Sequence, residues 1–224
     1  MKPKKYSDTA PPAKDWTFKS SKIAKIFDSH VNAHLPWYSL CTELVTCIAE
    51  NYIEQDGLIY DIGASTGNVT RSIAHVIEQR NASAMSIECS QQMVDKFKGV
   101  GDIICADARF FDFERFDAAF CFLTLMFNSI EDRAIILRNL IDNKKPGACV
   151  VIVEKFEVEE SGYAATTQRR MTMRLKRSAG VGDSEIVDKE LSLSGIQRPM
   201  RFEEIKQYNP IEFFRVGEFR GFIL

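Results

Sequence analysis

An acid followed by a glycine two positions on, and by another glycine four positions after that, is the densest chemical signal in the chain. It reads Asp61-x-Gly63-x-x-x-Gly67, within Tyr60-Asp61-Ile62-Gly63-Ala64-Ser65-Thr66-Gly67. Glycine lacks a Cβ, so such a turn brings backbone close to a ligand, and a helix starting behind it presents free N–H groups there. Glu88 follows at the end of the next apolar run, about 20 residues after the turn, where an acid accepts hydrogen bonds from a ribose diol. Asp107, in Cys105-Ala106-Asp107-Ala108, comes after the third run, where a carboxylate reaches the exocyclic amine of an adenine. Three acids at three successive strand ends describe one crevice along the carboxyl edge of a sheet, suited to a nucleoside.

The turn discriminates among nucleoside ligands. A dinucleotide fingerprint is Gly-x-Gly-x-x-Gly, whereas position 65 here is Ser and an acid precedes the first glycine by two; this favours S-adenosylmethionine (SAM). No Gly-Lys-Ser or Gly-Lys-Thr is present to cradle the phosphates of a nucleoside triphosphate. His30, His34 and His75 show no metal-ligand spacing or nucleophile context, so neither a metal centre nor a triad is expected. The six cysteines, Cys41, Cys47, Cys89, Cys105, Cys121 and Cys149, occur singly and read as reduced core thiols. Arg169, Arg170, Arg174, Lys176 and Arg177 form a basic stretch read as a solvated helix face with acidic partners in a dimer, ahead of a phosphate-binding or anionic-substrate face.

These residues need elements to hold them. Apolar spacing predicts two N-terminal helices, with Ile23, Ile26 and Phe27 on one face and Leu40, Leu44, Cys47 and Ile48 on another, broken at Leu35-Pro36-Trp37-Tyr38. Five short apolar runs then alternate with helical stretches: Leu58 to Ile62, Ala84 to Ile87, Ile103 to Cys105, Ala118 to Leu123 and Ala148 to Val153. Asn68 to Gln79, Ser90 to Lys98 and Ile130 to Asn143 read as covering helices, with a Phe-rich connection at Phe110 to Phe116. This alternation signals a mostly parallel sheet. A long helix from Ser161 to Ser178 and a second from Ser184 towards Leu193 interrupt the pattern. A short helix at Phe202 to Gln207 and two runs, Ile211 to Val216 and Phe219 to Leu224, then predict an antiparallel hairpin at the sheet edge. The expected organisation is a polar leader over 1–14 and one domain over 15–224, with a helical insertion about 157–195.

With 224 residues and 45% apolar content, the chain can build one sizeable core. Its net charge of −2 gives no global field toward nucleic acid or an anionic membrane, although direct nucleic-acid binding through a local basic face stays open. The N-terminus lacks an apolar signal stretch and no segment nears the roughly 20 apolar residues of a membrane span, so a cytoplasmic protein is expected.

The segments Asp15-Trp16-Thr17-Phe18, Leu35-Pro36-Trp37-Tyr38-Ser39, Tyr60 through Gly67 and Val153-Glu154-Lys155-Phe156 resemble carboxy-SAM synthases, and the likeness runs from about Asp15 to Leu224. That family converts SAM and prephenate into carboxy-SAM, used to modify the wobble uridine of bacterial tRNA. The resemblance implies the class I methyltransferase fold (α/β, Rossmann-like): a mostly parallel seven-stranded sheet with an antiparallel C-terminal hairpin and added N-terminal helices. It also implies a homodimer and a set of donor contacts. Tyr38 would lie near the methionine end, Asp61, Gly63, Ala64, Ser65 and Gly67 at the turn, Glu88 with Cys89 and Met93 at the ribose, Asp107 with Ala108 at the adenine, and Phe122 in the pocket. Three positions depart from the pattern. Glu88 stands where the family has Asp, Glu190 where it has the arginine that holds the donor's carboxylate, and Phe122 where it has an asparagine. An ionised glutamate repels a carboxylate, so the reading is a SAM-dependent methyltransferase on a small molecule or nucleoside, yielding S-adenosylhomocysteine (SAH), with Tyr38 and Glu190 able to orient or deprotonate the acceptor. The alternatives are a carboxy-SAM synthase acting on prephenate, its positive charge restored by Arg198 or Arg201, and a SAM-binding protein without catalysis.

Overall fold

The computed structural model describes residues 21–158 and 162–224. The leader, the Asp15-Trp16-Thr17-Phe18 segment and the first residue of the long helix expected from Ser161 lie outside them. Two helices, α1 (Ser21–His34) and α2 (Tyr38–Tyr52), precede the sheet. They part at Leu35-Pro36, because the proline ring disfavours helical backbone at the residue before it. Then follow β1 (Leu58–Ile62), α3 (Asn68–Ser72), α4 (Ala74–Gln79), β2 (Ser83–Glu88), α5 (Gln91–Val94), β3 (Asp102–Cys105) and β4 (Phe116–Phe122). After a 3₁₀ turn at Leu125–Phe127 come α6 (Ile130–Asn143), β5 (Lys144–Lys155), α7 (Tyr163–Ser178), α8 (Asp183–Ser192), α9 (Glu203–Lys206), β6 (Ile211–Val216) and β7 (Phe219–Ile223).

The seven strands form one sheet in the order β3-β2-β1-β4-β5-β7-β6. The first five are parallel to one another, whereas β7 runs antiparallel to both β5 and β6. Strand order reverses at β1, which is flanked by β2 and β4; the crevice at its carboxyl end is where an open α/β sheet binds ligands. One apolar cluster on each sheet face forms the core: Val45, Ile59, Ile73, Phe120 and Val151 on one, Tyr60, Phe116, Leu137, Ile152 and Phe222 on the other.

Two expected helices come out differently, both for reasons at the turn after β1. The stretch from Asn68 to Gln79 is two helices hinged at Ile73, which is fully buried. Fully buried Thr70, in the first half, has its hydroxyl accepting the Val100 N–H at 3.3 Å. Of Ser90 to Lys98 only Gln91–Val94 is helical, because the chain must leave the helix to pass beneath the turn, where the Lys98 N–H donates to the Thr66 carbonyl at 2.9 Å. Not all the cysteines are core thiols: all six are free, but Cys47, Cys89 and Cys105 are exposed and only Cys41, Cys121 and Cys149 are buried. Cys47 sits on an exposed helix position and Cys89 on the open wall of a cavity just past β2, where residue type alone carries no burial information.

Candidate active site

At the carboxyl ends of β1, β2 and β4 lies a cavity of about 370 Å³, closed over by α1, α2, α7 and α8. Nine of the expected site residues border it: Tyr38, Asp61, Gly63, Ala64, Ser65, Glu88, Cys89, Phe122 and Glu190. Gly67, Met93, Asp107 and Ala108 do not.

The turn is locked from beneath. The N–H groups of Gly63 and Ala64 donate to the Ile87 carbonyl at 2.8 and 3.2 Å, and that of Ser65 donates to the Glu88 carboxylate at 2.8 Å. These amides are engaged by the protein and do not form a phosphate nest, in keeping with a ligand that carries no phosphate. Gly63 has φ +68°, and a Cβ there would strike the Thr124 side chain. Gly67, at φ +82°, meets the backbone of Gly99 and the ring of Phe97, so its glycine serves close packing under the turn and leaves the cavity untouched. Met93 is likewise fully buried, its sulfur accepting the Ser65 hydroxyl at 3.5 Å.

Two carboxylates face the ligand space. Asp61 is buried with its Oδ2 lacking any hydrogen-bond partner. Burial, and then the charge of Glu88, push its carboxyl up to about 7. Glu88 is also buried, accepting from Ser65 on one oxygen and from the Ser90 N–H at 2.8 Å on the other, and burial raises it too. The Cys89 N–H and thiol donate to it as well, so a ligand hydroxyl would displace the thiol or share an oxygen. Asp107 behaves otherwise: Arg109 grips it with both its Nε and a terminal nitrogen and bridges on to Asp132 at 3.0 Å. Those hydrogen bonds hold Asp107 below the usual carboxylate range. A buried acceptor without a donor, beside a second carboxylate at the next strand end, fits a cationic ligand bearing an ammonium group and a ribose diol, as SAM does.

The opposite wall mixes aromatic rings with charge. Tyr38, buried, meets Phe122 edge-on with centroids 5.0 Å apart, and burial, then Asp61, raise its phenol so that it stays protonated. Glu190 is enclosed by cations: Arg169 at 2.7 Å, Lys176 at 3.0 Å and Lys155 at 4.0 Å. Burial opposes its ionisation most strongly, but Lys176 and Lys155 outweigh that and hold it below the ordinary glutamate value. The charge reversal seen in the sequence is therefore compensated within the fold. Arg198 and Arg201 are not the compensators. Neither borders the cavity, and Arg201 pairs with Glu157 at 3.1 Å on the surface. The basic stretch of α7 is also not one solvated face, since Lys176 is buried and Arg169 turns towards Glu190 and Glu218, leaving Arg177 outside on Asp183.

Sequence reasoning missed Lys155, Lys189 and Glu154. Lys155 was legible only as part of a motif. It borders the cavity and donates to Gln197 at 3.1 Å. Glu154, the preceding strand residue, points to the other side and accepts the N–H groups of Thr124, Leu125 and Met126 at 2.8, 2.7 and 3.1 Å. It thereby anchors the loop after β4 that closes one side of the cavity. Strand alternation next to a charged pair was the signal that could have found both.

Residues 59–147 match a family described as a methyltransferase domain. The carboxy-SAM synthase of Staphylococcus epidermidis is 28% identical over 197 residues, covering 86% of each chain. That of Vibrio vulnificus is 26% identical, covering 97% of this chain and 92% of the relative. Among solved structures, plantazolicin methyltransferase BpumL bound to SAH superposes with a TM-score of 0.58 at 18% identity, over 87% of this chain and 70% of that one. Magnesium protoporphyrin IX methyltransferase from Synechocystis, also with SAH, gives 0.54 at 12% identity, over 83% and 82%. A SAM-dependent methyltransferase from Clostridium acetobutylicum gives 0.55 at 10%, over 89% and 97%. Sequence and fold agree: the chain has the fold of class I methyltransferases, its residues 59–147 match a methyltransferase domain, and over most of its length it is similar to carboxy-SAM synthases.

Proposed function

We propose that this protein is a SAM-dependent transferase, related to carboxy-SAM synthases, that methylates a small molecule or nucleoside and releases SAH. The observation that carries the reading is the buried Asp61 Oδ2, an acceptor without a donor, next to Glu88 in a crevice at the sheet's switch point. When bound, SAM supplies an electrophilic methyl group on its sulfonium. Asp61 holds the ammonium end of the donor, Glu88 the ribose hydroxyls, and the Tyr38–Phe122 ring pair excludes water from the reacting side. Asp107 and Ala108 lie outside the cavity, so Asp107 reaches an adenine amine only by sharing its carboxylate with Arg109, at the end that Cys89 lines. Tyr38 keeps its proton and orients an acceptor by donating to it. Glu190, kept ionised by its neighbours, sets the charge balance of the acceptor wall. Positioning then supplies much of the rate.

Carboxy-SAM synthesis is the second reading, and one observation favours it. Lys155, Arg169 and Lys176 bring to the Glu190 wall the positive charge that the family places on an arginine, enough to receive a prephenate-like acid. Relatives named carboxy-SAM synthase match most of the chain; on this reading the product would serve tRNA wobble-uridine modification in the cytoplasm, as the resemblance implies. Mass spectrometry of the small molecules that co-purify, repeated after incubation with SAM and prephenate, separates the readings. SAM or SAH without a carboxylated donor supports the methyltransferase; a carboxylated SAM that appears only when prephenate is supplied replaces it. Tight SAM binding with no SAH formed in cell extract would leave a non-catalytic binder.

A further inference from the structure

His30 and His34 lie four residues apart on α1, so their rings share one helix face, with centroids 4.2 Å apart and planes tilted by 31°. Glu185 of α8 comes to that face, its Oε1 3.0 Å from His34 Nε2. One ligand atom from each of the three residues lies within 4.8 Å of the others. Bonds of about 2.0–2.1 Å to a tetrahedral Zn²⁺ place neighbouring ligand atoms about 3.4 Å apart, so the hydrogen-bonded His34–Glu185 pair, at 3.0 Å, must give up its shared proton and open slightly to admit an ion. His34 is buried, and with its Nδ1 lacking a hydrogen-bond partner the ring is held only at the Nε2 edge that it turns to Glu185. From this geometry we infer that His30, His34 and Glu185 form a site for a divalent transition-metal ion of the Zn²⁺ class.

Both rings are neutral, as ligation requires, because burial first, and then neighbouring positive charge, lower His30 to about 2 and His34 to about 3. The charged groups facing them are Lys176, Lys189 and Glu190. Lys176 opposes a cation only weakly, since Glu190 pairs with it at 3.0 Å. His30 and His34 also border the cavity, so a position left open by three protein ligands is available to an oxygen of the acceptor or to water. The site uses two residues whose sequence spacing is that of one helix face and a third 151 residues from His34, which is why the sequence alone gave no metal expectation.

The test is Zn²⁺ and Co²⁺ titration of the full chain after chelation, followed by calorimetry and by the visible bands of four-coordinate Co²⁺, neither of which depends on activity. One equivalent per chain is expected, weakened at least tenfold in His34→Gln and in the milder, half-exposed Glu185→Gln, and unchanged in the surface control His75→Gln. Circular dichroism confirms that each variant is folded. Absence of stoichiometric binding in the wild type overturns the site. So does binding of equal strength in folded Glu185→Gln.

Discussion

On the proposed function, Asp61 concentrates much of the donor binding in one side chain. Its carboxyl is raised to about 7, mainly by burial. A raised carboxyl contributes stability that is present below its unfolded value and lost as pH rises through about 7. The ligand-free protein is therefore expected to lose thermal stability between about pH 5 and pH 8, more than Asp61→Asn does. A cationic donor needs the ionised form, so its affinity moves oppositely: calorimetry should show SAM binding strengthening about tenfold from pH 6 to pH 8, following the ionised fraction. Asp61→Asn should flatten that profile and weaken binding by roughly 1.5–3 kcal/mol, the worth of a hydrogen bond to a charged group. A flat wild-type profile would mean the ammonium is held elsewhere. Glu190 poses a different question, because it is both a candidate proton acceptor and the partner of buried Lys176. Glu190→Gln is expected to destabilise by about 2–3 kcal/mol as Lys176 loses its counter-ion, with kcat falling less than tenfold. A hundredfold loss of kcat at unchanged stability would instead assign proton transfer to Glu190.

Single side chains here also hold whole elements in place. Asp28 of α1 receives the Thr66 hydroxyl and pairs with Arg71 at 3.2 Å, and Arg71 donates to the Thr66 carbonyl at 3.2 Å, so the covering helix is fastened to the donor turn. Glu154 does the same for the loop after β4. Glu154→Gln replaces an acceptor oxygen with an amide that presents a donor to one of three backbone N–H groups. The expected cost is about 2–4 kcal/mol, visible as a lower urea midpoint, with SAM affinity reduced because Thr124 packs against Gly63. Stability within 0.5 kcal/mol of wild type, a rough threshold for a surface change, would show that the loop has other support.

For the molecule as a whole, the resemblance to carboxy-SAM synthases implies a homodimer, and the chain offers apolar surface for one. Val187 and Leu191 stand four residues apart on α8 and are 54% and 67% exposed. Light scattering is expected to give about twice the 25.5 kDa of one chain. Replacing both residues by Asp should return the single-chain mass if α8 lies in the contact, whereas a monomeric wild type removes the dimer. Among the described residues, no helix is long and apolar enough to cross a membrane.

The local pattern of residues determined the fold class, the sheet hairpin and the donor turn, because strand and helix periodicities and glycine spacing are short-range properties of the chain. Ile130–Asn143 and Ile211–Val216 have the bounds the apolar pattern implied. Asp61, Gly63 and Glu88 were legible for the same reason, since each sits at the end of a recognisable strand. Only the tertiary structure decided which charges meet. It enclosed Glu190 with Lys155, Arg169 and Lys176, took Asp107 into a pair with Arg109, moved Gly67 beneath the turn and brought Glu185 to His34. Coulombic partners and burial depend on distances between segments far apart in the chain, and those distances exist only once the helices have packed against the sheet.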